Sequence, residues 1–284
     1  MPATTPDHGV RSQLPTSTAL PEIPADATPF AASYRIRTHD VDHHMRVRLD
    51  AIARYLQDIA TDMIEASLFY DSDPFWILRR TIIDVISPIS WPGNVAVQRW
   101  CSATSTRWVN MRQRVRSTHE SSPFNPQRRP PGLVETESFC IKVDPAGYLA
   151  RISDPAQAEL SRYVHDTRLK WRPLNTATPP DSATDRLFSV RSSDIDPFGH
   201  VNNATYWQAI EDQLEDNTDL LTEPHRAIVE FLRPIPPGAH PRIRARRTPR
   251  QLCLWILLED GTVAATATVQ PLPPLTSEQG VTDP

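Results

Sequence analysis

The sequence predicts an α+β protein that is a tandem duplication of one unit, in which a strand and a long helix precede several antiparallel strands. Three observations predict this fold class. The order of strand, helix and strands occurs twice along the 284 residues. Asp40-Val41-Asp42 matches Asp194-Ile195-Asp196 at an offset of 154 residues, and Val47 falls on Val201 at the same offset. Most of the 29 prolines lie in four short stretches, three of which bound the two units: 1–29, 123–131, 173–180 and 271–284.

The first unit begins near Phe30. Alternating residues from Tyr34 to Thr38 predict a short half-buried strand. Apolar residues then recur every three or four positions from Leu49 to Ile64, which predicts one face of a long amphipathic helix. The period changes to two downstream, and strands are predicted at 76–86, 95–103, 108–115, 135–143 and, after a turn at 144–147, at 148–152. Residues 117–132 are predicted to be an excursion between strands.

The second unit repeats this order after a proline-rich linker. A strand is predicted at 187–190, and the spacing of Tyr206, Trp207, Ile210 and Leu214 predicts a helix. Strands are predicted at 227–232, 243–247, 252–258 and 262–269, with a hairpin turn at 259–261 between the last two. The predicted organisation is a disordered tail at 1–29, a first unit at 30–172, a linker at 173–182, a second unit at 183–272 and a tail at 273–284.

Composition excludes several classes of protein. The chain is 39% hydrophobic and 23% charged, as in soluble globular proteins. The longest aliphatic and aromatic run, Leu254–Leu258, is far too short to span a bilayer, and residues 1–29 hold no apolar signal segment. Three widely separated cysteines exclude a disulfide framework. A net charge of −4 does not favour nucleic acid as a partner. We therefore expect a cytoplasmic protein without a membrane span or a nucleic-acid partner.

The segment that carries chemistry is 193–207, where a strand gives way to a helix. It holds two acids, a glycine, a histidine and two asparagines. A helix start presents unpaired backbone N–H groups and partial positive charge, which can hold a developing oxyanion. A carboxylate beside it can attack a carbonyl or activate a water. These are the parts that thioester hydrolysis needs.

At these residues the sequence resembles a known family. The pattern Asp196-x-x-Gly199-His200-Val201-Asn202-Asn203-x-x-Tyr206 resembles the signature of hotdog-fold thioesterases. Trp76-Ile-Leu-Arg, Trp91-Pro-Gly-Asn-Val-x-Val and Trp100 resemble the N-terminal half of acyl-acyl-carrier-protein (acyl-ACP) thioesterases, which are two fused hotdogs. The resemblance covers roughly residues 30–270. It implies a tandem double hotdog, in which each antiparallel sheet is wrapped around a long central helix.

The resemblance also implies a role for each matching residue. Asp196 would be the catalytic carboxylate, as nucleophile or general base, and His200 would orient or polarise the thioester. Asn202 is included in the catalytic set. The two motif asparagines would also stabilise the loop and the junction between hotdogs. The implied substrate-binding set is Gly199, Val201, Asn203, Tyr206 and Trp76. The implied activity is release of fatty acids from acyl-ACP in fatty acid biosynthesis, with the first hotdog shaping the acyl tunnel and no metal or organic cofactor.

The sequence departs from the family pattern in two places. The plant enzymes carry an asparagine where this chain has Phe198, and a Glu-Cys pair where it has Pro234-Ile235. Glu230 lies nearby in sequence and is a weaker candidate. In the first unit, Arg46, Arg48 and Leu49 stand where the second has His200, Asn202 and Asn203. The chemistry is therefore expected in the second unit.

Other interpretations stay open at the level of sequence. Asp196 is also a good helix cap. The cluster at 39–44 holds three histidines and two aspartates that could bind a metal, although Asp42, as the counterpart of Asp196, is better explained as a cap. Arginines concentrate at 107–116, 128–129 and 242–250, which is typical of a solvated strand face or of a docking surface for a carrier protein. Acyl-CoA is the alternative substrate, a non-catalytic acyl-binding protein is the alternative class, and the fused pair is a possible homodimer.

Overall fold

A computed structural model describes residues 20–181, 184–222 and 224–272, which form one ten-stranded antiparallel sheet with helices against one face. The predicted tail regions 1–19 and 273–284 lie outside the described residues. The helices are α1 (Leu49–Glu65), α2 (Asp154–Leu160) and α3 (Asn203–Leu214), and short 3₁₀ turns cover Thr38–Asp40, Ser192–Asp194 and Glu215–Leu221. The strands are β1 (Phe30–Arg35), β2 (Trp76–Ser87), β3 (Gly93–Thr104), β4 (Trp108–His119), β5 (Gly132–Lys142), β6 (Thr184–Leu187), β7 (His225–Phe231), β8 (Arg242–Thr248), β9 (Gln251–Leu257) and β10 (Val263–Pro271).

The strand order confirms the duplicated α+β architecture. The sheet runs β1-β3-β4-β5-β2-β7-β10-β9-β8-β6, so each half has the same internal order and the two halves meet at β2 and β7. These two strands pair antiparallel from Arg80 opposite Glu230 to Val85 opposite His225. The helices α1 and α3 also pack against each other.

The repeat extends to the loops that lead into the two long helices. A 3₁₀ turn precedes each loop, and a single bridge closes it, between Val41 and Val47 in the first half and between Ile195 and Val201 in the second. The N–H of Arg48 donates to the carbonyl of Asp40 at 2.9 Å, and the N–H of Asn202 donates to that of Asp194 at 2.8 Å. Both loops therefore deliver their helix starts in the same way.

The long helices cover the sheet with the apolar face that their periodicity predicts. Ile52 and Ile59 of α1 and Trp207 and Ile210 of α3 are each no more than 2% exposed. They belong to one hydrophobic cluster that also includes β-strand residues from both halves. Burial of apolar side chains stabilises the fold by roughly 1.5–3 kcal/mol for each large residue. Because the cluster is continuous across the junction, the two halves share a core.

A second cluster lies beside the C-terminal half of α1 in the first half. Its buried members are Phe69, Cys101, Val109, Met111, Cys140, Ile152, Ala156 and Leu160. The helix α2 closes this cluster and was not predicted, whereas the strand predicted at 148–152 is wrong, because Leu149 makes one isolated bridge to Val143. The chain turns here because the Ser153 hydroxyl accepts the N–H of Ala156 at 3.3 Å and Pro155 follows in the first turn.

The sheet face opposite the helices is rich in charged residues and is partly covered by chain segments. Arg112 and Arg114 both donate to the Glu135 carboxylate, and the carbonyl of Pro21 accepts a hydrogen bond from Arg112 at 3.0 Å. Glu22 forms an ion pair with Arg114 at 2.6 Å. Residues around 20–22, part of the tail predicted to be disordered, therefore contact the sheet, and two arginines of the predicted docking cluster are engaged in ion pairs.

The remaining differences from the sequence predictions concern boundaries. The first strand ends at Arg35 rather than Thr38, and the strand after the linker spans Thr184–Leu187 rather than 187–190. Both are edge strands with a single neighbour, so their alternation pattern gives weak limits. Among the described residues, none of the helices is long and apolar enough to cross a membrane.

Candidate active site

The predicted catalytic loop joins the 3₁₀ turn at Ser192–Asp194 to α3, and Asp196 organises it. The Oδ1 atom of Asp196 accepts the backbone N–H of Phe198 at 2.9 Å and that of His200 at 3.2 Å. The N–H of Asp196 donates to the carbonyl of His200 at 2.8 Å. Within the described residues, no hydrogen bond reaches Oδ2 of this half-buried carboxylate. One oxygen therefore holds the loop and the other is available for chemistry.

The start of α3 follows this loop directly in the chain and supplies further polar groups. Asn202 is the N-cap, and its Oδ1 accepts the N–H of Ala204 at 2.8 Å. The backbone N–H of Asn203 donates to no acceptor in the described part of the chain. It lies at the positive end of the helix dipole, where a developing negative charge is stabilised.

The loop presents two side chains to solvent. His200 is exposed, and Phe198 is 76% exposed. Gly199 between them has φ of 78°, in the left-handed region that glycine adopts without strain. The corresponding residue of the first half, Met45, has φ of 65°. The turn is therefore a property of both copies, and the glycine relieves strain in the second.

The other predicted site residues fall into two places. Val201 and Tyr206 are buried in the core behind the loop, and burial raises the pKa of the Tyr206 phenol. Trp76 is at the start of β2, where its Nε1 donates to the carbonyl of Asp73 at 2.7 Å. Its ring packs against the second cluster rather than in the Asp196 loop. The structure thus brings the Asp196–Tyr206 segment together and keeps Trp76 in the first half.

In the corresponding loop of the first half, an arginine side chain occupies the second oxygen of the aspartate. Asp42 uses Oδ1 to accept the N–H groups of His44 and Arg46, each at 2.9 Å, as Asp196 does for its own loop. Its Oδ2, however, accepts Nε of Arg46 at 2.9 Å. Asp42 is thus a loop cap with an ion pair, and its second oxygen is occupied.

Two residues that the sequence analysis did not single out link the copies. Glu211 of α3 accepts the N–H of Leu49, the first residue of α1, at 2.7 Å, and it accepts Nη2 of Arg46 at 2.9 Å. Gln57 of α1 donates from Nε2 to Oδ1 of Asn202 at 3.1 Å. The 154-residue offset that aligns the halves also aligns Gln57 with Glu211, so the repeat contained the signal.

Glu230, the weaker catalytic candidate, and Ile235, which stands in place of the plant Glu-Cys pair, make structural contacts in this chain. Glu230 is buried, and its carboxylate accepts the N–H groups of Leu174 at 2.9 Å and Asn175 at 3.2 Å. It anchors the linker instead of facing the loop. Ile235 is fully buried, and its carbonyl accepts the N–H of Val201 at 2.9 Å. These positions therefore have structural roles here.

The cysteines of the chain are poor nucleophiles at neutral pH. Burial raises the pKa of Cys101 to about 12 and also raises the pKa values of Cys140 and Cys253. A thiol that stays protonated is a weak nucleophile. The carboxylate of Asp196 is therefore the better candidate for attack or base catalysis.

Comparison with known proteins decides the family. Residues 27–122 match the family model "Acyl-ACP thioesterase N-terminal domain", and residues 177–267 match "Acyl-ACP thioesterase C-terminal domain". The chain belongs to the acyl-ACP thioesterase family. It is a thioester hydrolase with the double-hotdog fold, so the resemblance seen in the sequence is confirmed.

The chain is similar to a mycobacterial protein in sequence and to several solved structures in fold. An uncharacterised protein of Mycobacterium tuberculosis is 36% identical over 227 residues, which cover 80% of this chain and 86% of the relative. Solved structures show the same fold. An acyl-ACP thioesterase from Bacteroides thetaiotaomicron aligns with a TM-score of 0.65 at 15% identity, over 84% of this chain and 97% of that one. The 12:0-ACP thioesterase from Umbellularia californica aligns with a TM-score of 0.59 at 18% identity, over 85% and 96%.

Proposed function

We propose that this thioesterase hydrolyses fatty acyl-ACP at the start of α3, with Asp196 as the catalytic carboxylate. One observation carries the proposal. The duplicated helix starts differ, because the N–H of Leu49 is occupied by the Glu211 carboxylate while the N–H of Asn203 is left free by the described residues. Only the second start can therefore accept a substrate oxygen without displacing a side chain.

The position of the Glu211 carboxylate indicates where the substrate oxygen sits. Its Oε1 is 2.7 Å from the first N–H of α1, which is the distance expected for an oxyanion and its donor. The equivalent point at α3 is in front of the Asn203 N–H. In the first copy the corresponding point is linked through Arg46 to Asp42, the counterpart of Asp196, so we place the substrate oxygen beside the Asp196 loop. A thioester carbonyl placed there would be polarised by the helix start.

Hydrolysis then follows from the groups of the loop. In the first route Oδ2 of Asp196 attacks the carbonyl carbon, the C–S bond breaks with release of the thiolate, and water hydrolyses the acyl–Asp196 anhydride to the fatty acid and the carboxylate. In the second route Asp196 takes a proton from the water that attacks the carbonyl carbon. The water oxygen bonds to the carbonyl carbon and the oxyanion is held at the Asn203 N–H. The C–S bond then breaks, and the proton passes to the leaving thiolate. His200 orients the thioester at the mouth of the site.

The first half supplies the acyl-binding region in this proposal. The second cluster, with Trp76 and the partly buried Met63 of α1 at its edge, is the apolar region beside the C-terminal half of that helix. Met111 and the two cysteines give it soft side chains that adapt to a flexible chain. The division is therefore an acyl-shaping unit at 30–172 and a catalytic unit at 183–272, joined by the linker at 173–182.

The choice of acyl-ACP over acyl-CoA rests on family membership and on surface arginines. Several arginines of the predicted clusters are exposed and form no ion pair with a described residue: Arg107, Arg116, Arg128, Arg129, Arg246 and Arg250. An acidic carrier protein is complementary to such a surface. Coenzyme A would use the same charges through its phosphates.

The test is hydrolysis of a matched panel of thioesters, with octanoyl, dodecanoyl and hexadecanoyl chains on both ACP and CoA. We expect free fatty acid from acyl-ACP with a kcat/KM that exceeds that for the corresponding acyl-CoA and falls as ionic strength rises. Turnover of acyl-CoA alone would contradict the carrier assignment. Acyl binding without turnover on either carrier would contradict hydrolysis and support a binding protein.

A further inference from the structure

Each of the two long helices extends one side chain to the start of the other helix. Gln57 lies eight residues after Leu49, and Glu211 lies eight residues after Asn203. Each therefore projects from its own helix towards the start of the other. Glu211 contacts the start of α1, and Gln57 contacts the cap of α3. The exchange is symmetrical in position and different in charge.

The carboxylate of Glu211 occupies the anion-binding site at the start of α1. It accepts the N–H of Leu49 at 2.7 Å and Nη2 of Arg46 at 2.9 Å, and its side chain is only 10% exposed. Although burial alone favours loss of the Arg46 proton, the charges of Glu211 and Asp42 raise the Arg46 pKa. A negative group at a helix start is stabilised by the dipole. The first helix start is therefore filled from within the protein.

The amide of Gln57 has a different effect at α3. Its Nε2 donates at 3.1 Å to the Asn202 oxygen that also caps Ala204 at 2.8 Å. The amide oxygen of Gln57 accepts no hydrogen bond from the N–H of Asn203 among the described residues, so that N–H stays open. His200 stands at the position that Arg46 occupies in the first copy. A carboxylate at position 57 would thus meet both a helix start and an imidazole.

We propose that Gln57 is a positioning residue of the active site, supplied by the first half. It holds the Asn202 cap in place and keeps the α3 start open to the substrate oxygen, whereas Glu211 closes the equivalent start of α1. The identity of the residue at this helix position decides which of the two starts can bind substrate. This inference rests on the proposed function of the Asp196 loop.

The test replaces Gln57 by glutamate in the full chain and measures kcat and KM from pH 6 to pH 8 on the best thioester of the panel. We expect Gln57→Glu to lose about tenfold to a hundredfold in kcat across this range, because a carboxylate beside a helix start keeps its charge there and competes with the oxyanion for the Asn203 N–H. Gln57→Met, which is neutral and of similar size but lacks the donor to Asn202, is expected to lose less, about threefold to tenfold in kcat. Glu211→Gln is the reciprocal control at the start of α1, and any loss of activity in it is expected to be smaller than in Gln57→Glu.

The outcomes separate this inference from the proposed function. Equal activity of the wild type and Gln57→Glu at every pH overturns the inference, and so does an equal loss in Gln57→Glu and Gln57→Met. If Gln57→Glu does not fold, a wild-type kcat in Gln57→Met overturns the inference. Full activity in Asp196→Asn would instead overturn the proposed function. An inactive Asp196→Asn beside a fully active Gln57→Glu overturns only the inference.

Discussion

Asp42 and Asp196 have the same structural role in the two copies, although the second oxygen of the carboxylate has different surroundings in each. Each uses one carboxylate oxygen to accept the N–H groups two and four residues further along. Arg46 then occupies the second oxygen of Asp42. His200, at the matching position, makes no hydrogen bond with its imidazole to a described residue. A single change of residue type thus separates a closed loop from an open one.

The buried Asp50 carboxylate at the start of α1 contributes to the stability of the fold against acid. Burial alone would raise the pKa of Asp50, but hydrogen bonds from Arg48 and Arg54 lower it below its ordinary value of 3.8. A lowered folded-state pKa stabilises the fold above pH 3.8, and this stabilisation is lost as the pH falls through the folded-state pKa. We expect Asp50→Asn to reduce the free energy of unfolding by about 2 kcal/mol at pH 7, and by less at pH 3.

Thermal or urea unfolding at the two pH values checks this prediction. Asp71→Asn is the control, because Asp71 is exposed and its side chain makes no ion pair with a described residue. A difference between the wild type and Asp50→Asn that stays the same at pH 3 would contradict the assigned cause.

At the scale of elements, the first half has two apolar regions that are covered by different parts of the chain. The long helix α1 covers the shared core, while α2 and Phe69 close the second cluster. Cys140 and Met111 lie on the helix side of the sheet within that cluster. The proposed acyl site therefore has walls that can be changed without altering the Asp196 loop.

We expect Cys140→Phe to shift the chain-length preference towards shorter acyl groups. Cys140 belongs to the second cluster, so a larger ring there should leave less room for a long acyl chain. The ratio of kcat/KM for hexadecanoyl-ACP to that for octanoyl-ACP should therefore fall by about tenfold or more. Cys253→Phe is the matched control, since Cys253 is also buried but packs in a separate cluster with Trp255 and Leu257. An unchanged ratio in Cys140→Phe, or an equal shift in Cys253→Phe, would contradict the placement of the acyl chain.

The elements with a strong repeating pattern could be predicted from sequence, and those fixed by local capping or packing could not. The 3.6-residue spacing from Leu49 to Ile64 gave α1 to within one residue of its end at Glu65. The seven-residue helix α2 is too short for a period, and only its Ser153 cap signals it. In the candidate site, the residue pattern at 193–207 singled out the loop of Asp196. The pairing of Gln57 with Asn202 depends on how two helices pack, which no local pattern contains.

At the scale of the whole molecule, the junction between halves is held by buried charge as well as by the shared core. Asp84 of β2 accepts two hydrogen bonds from Arg226 of β7, from Nε and Nη2, each at 2.6 Å. Glu230 of β7 accepts the N–H of Leu174 in the linker at 2.9 Å and forms an ion pair with Arg80 of β2 at 3.4 Å, so the linker is anchored at the same junction. The two copies are therefore expected to unfold together.

We expect Asp84→Ala to lower the free energy of unfolding by about 2–4 kcal/mol, because it removes two charge-assisted hydrogen bonds from the buried guanidinium of Arg226. Urea denaturation followed by fluorescence measures the change and should retain a single transition. Asp185→Ala, which removes the more exposed pair with Arg244 between β6 and β8, should change the midpoint little. An unchanged midpoint in Asp84→Ala would contradict the role of the junction pair.

The central claim is that the second copy performs the chemistry and the first does not. Single-turnover hydrolysis of one acyl-ACP by Asp196→Asn and Asp42→Asn tests it most directly, because both changes alter the same loop contacts. Asp196→Asn should lose at least about a hundredfold in rate, while Asp42→Asn should retain a rate within about threefold of the wild type once both are shown to be folded. Equal rates for the two variants, whether both high or both low, would contradict the claim.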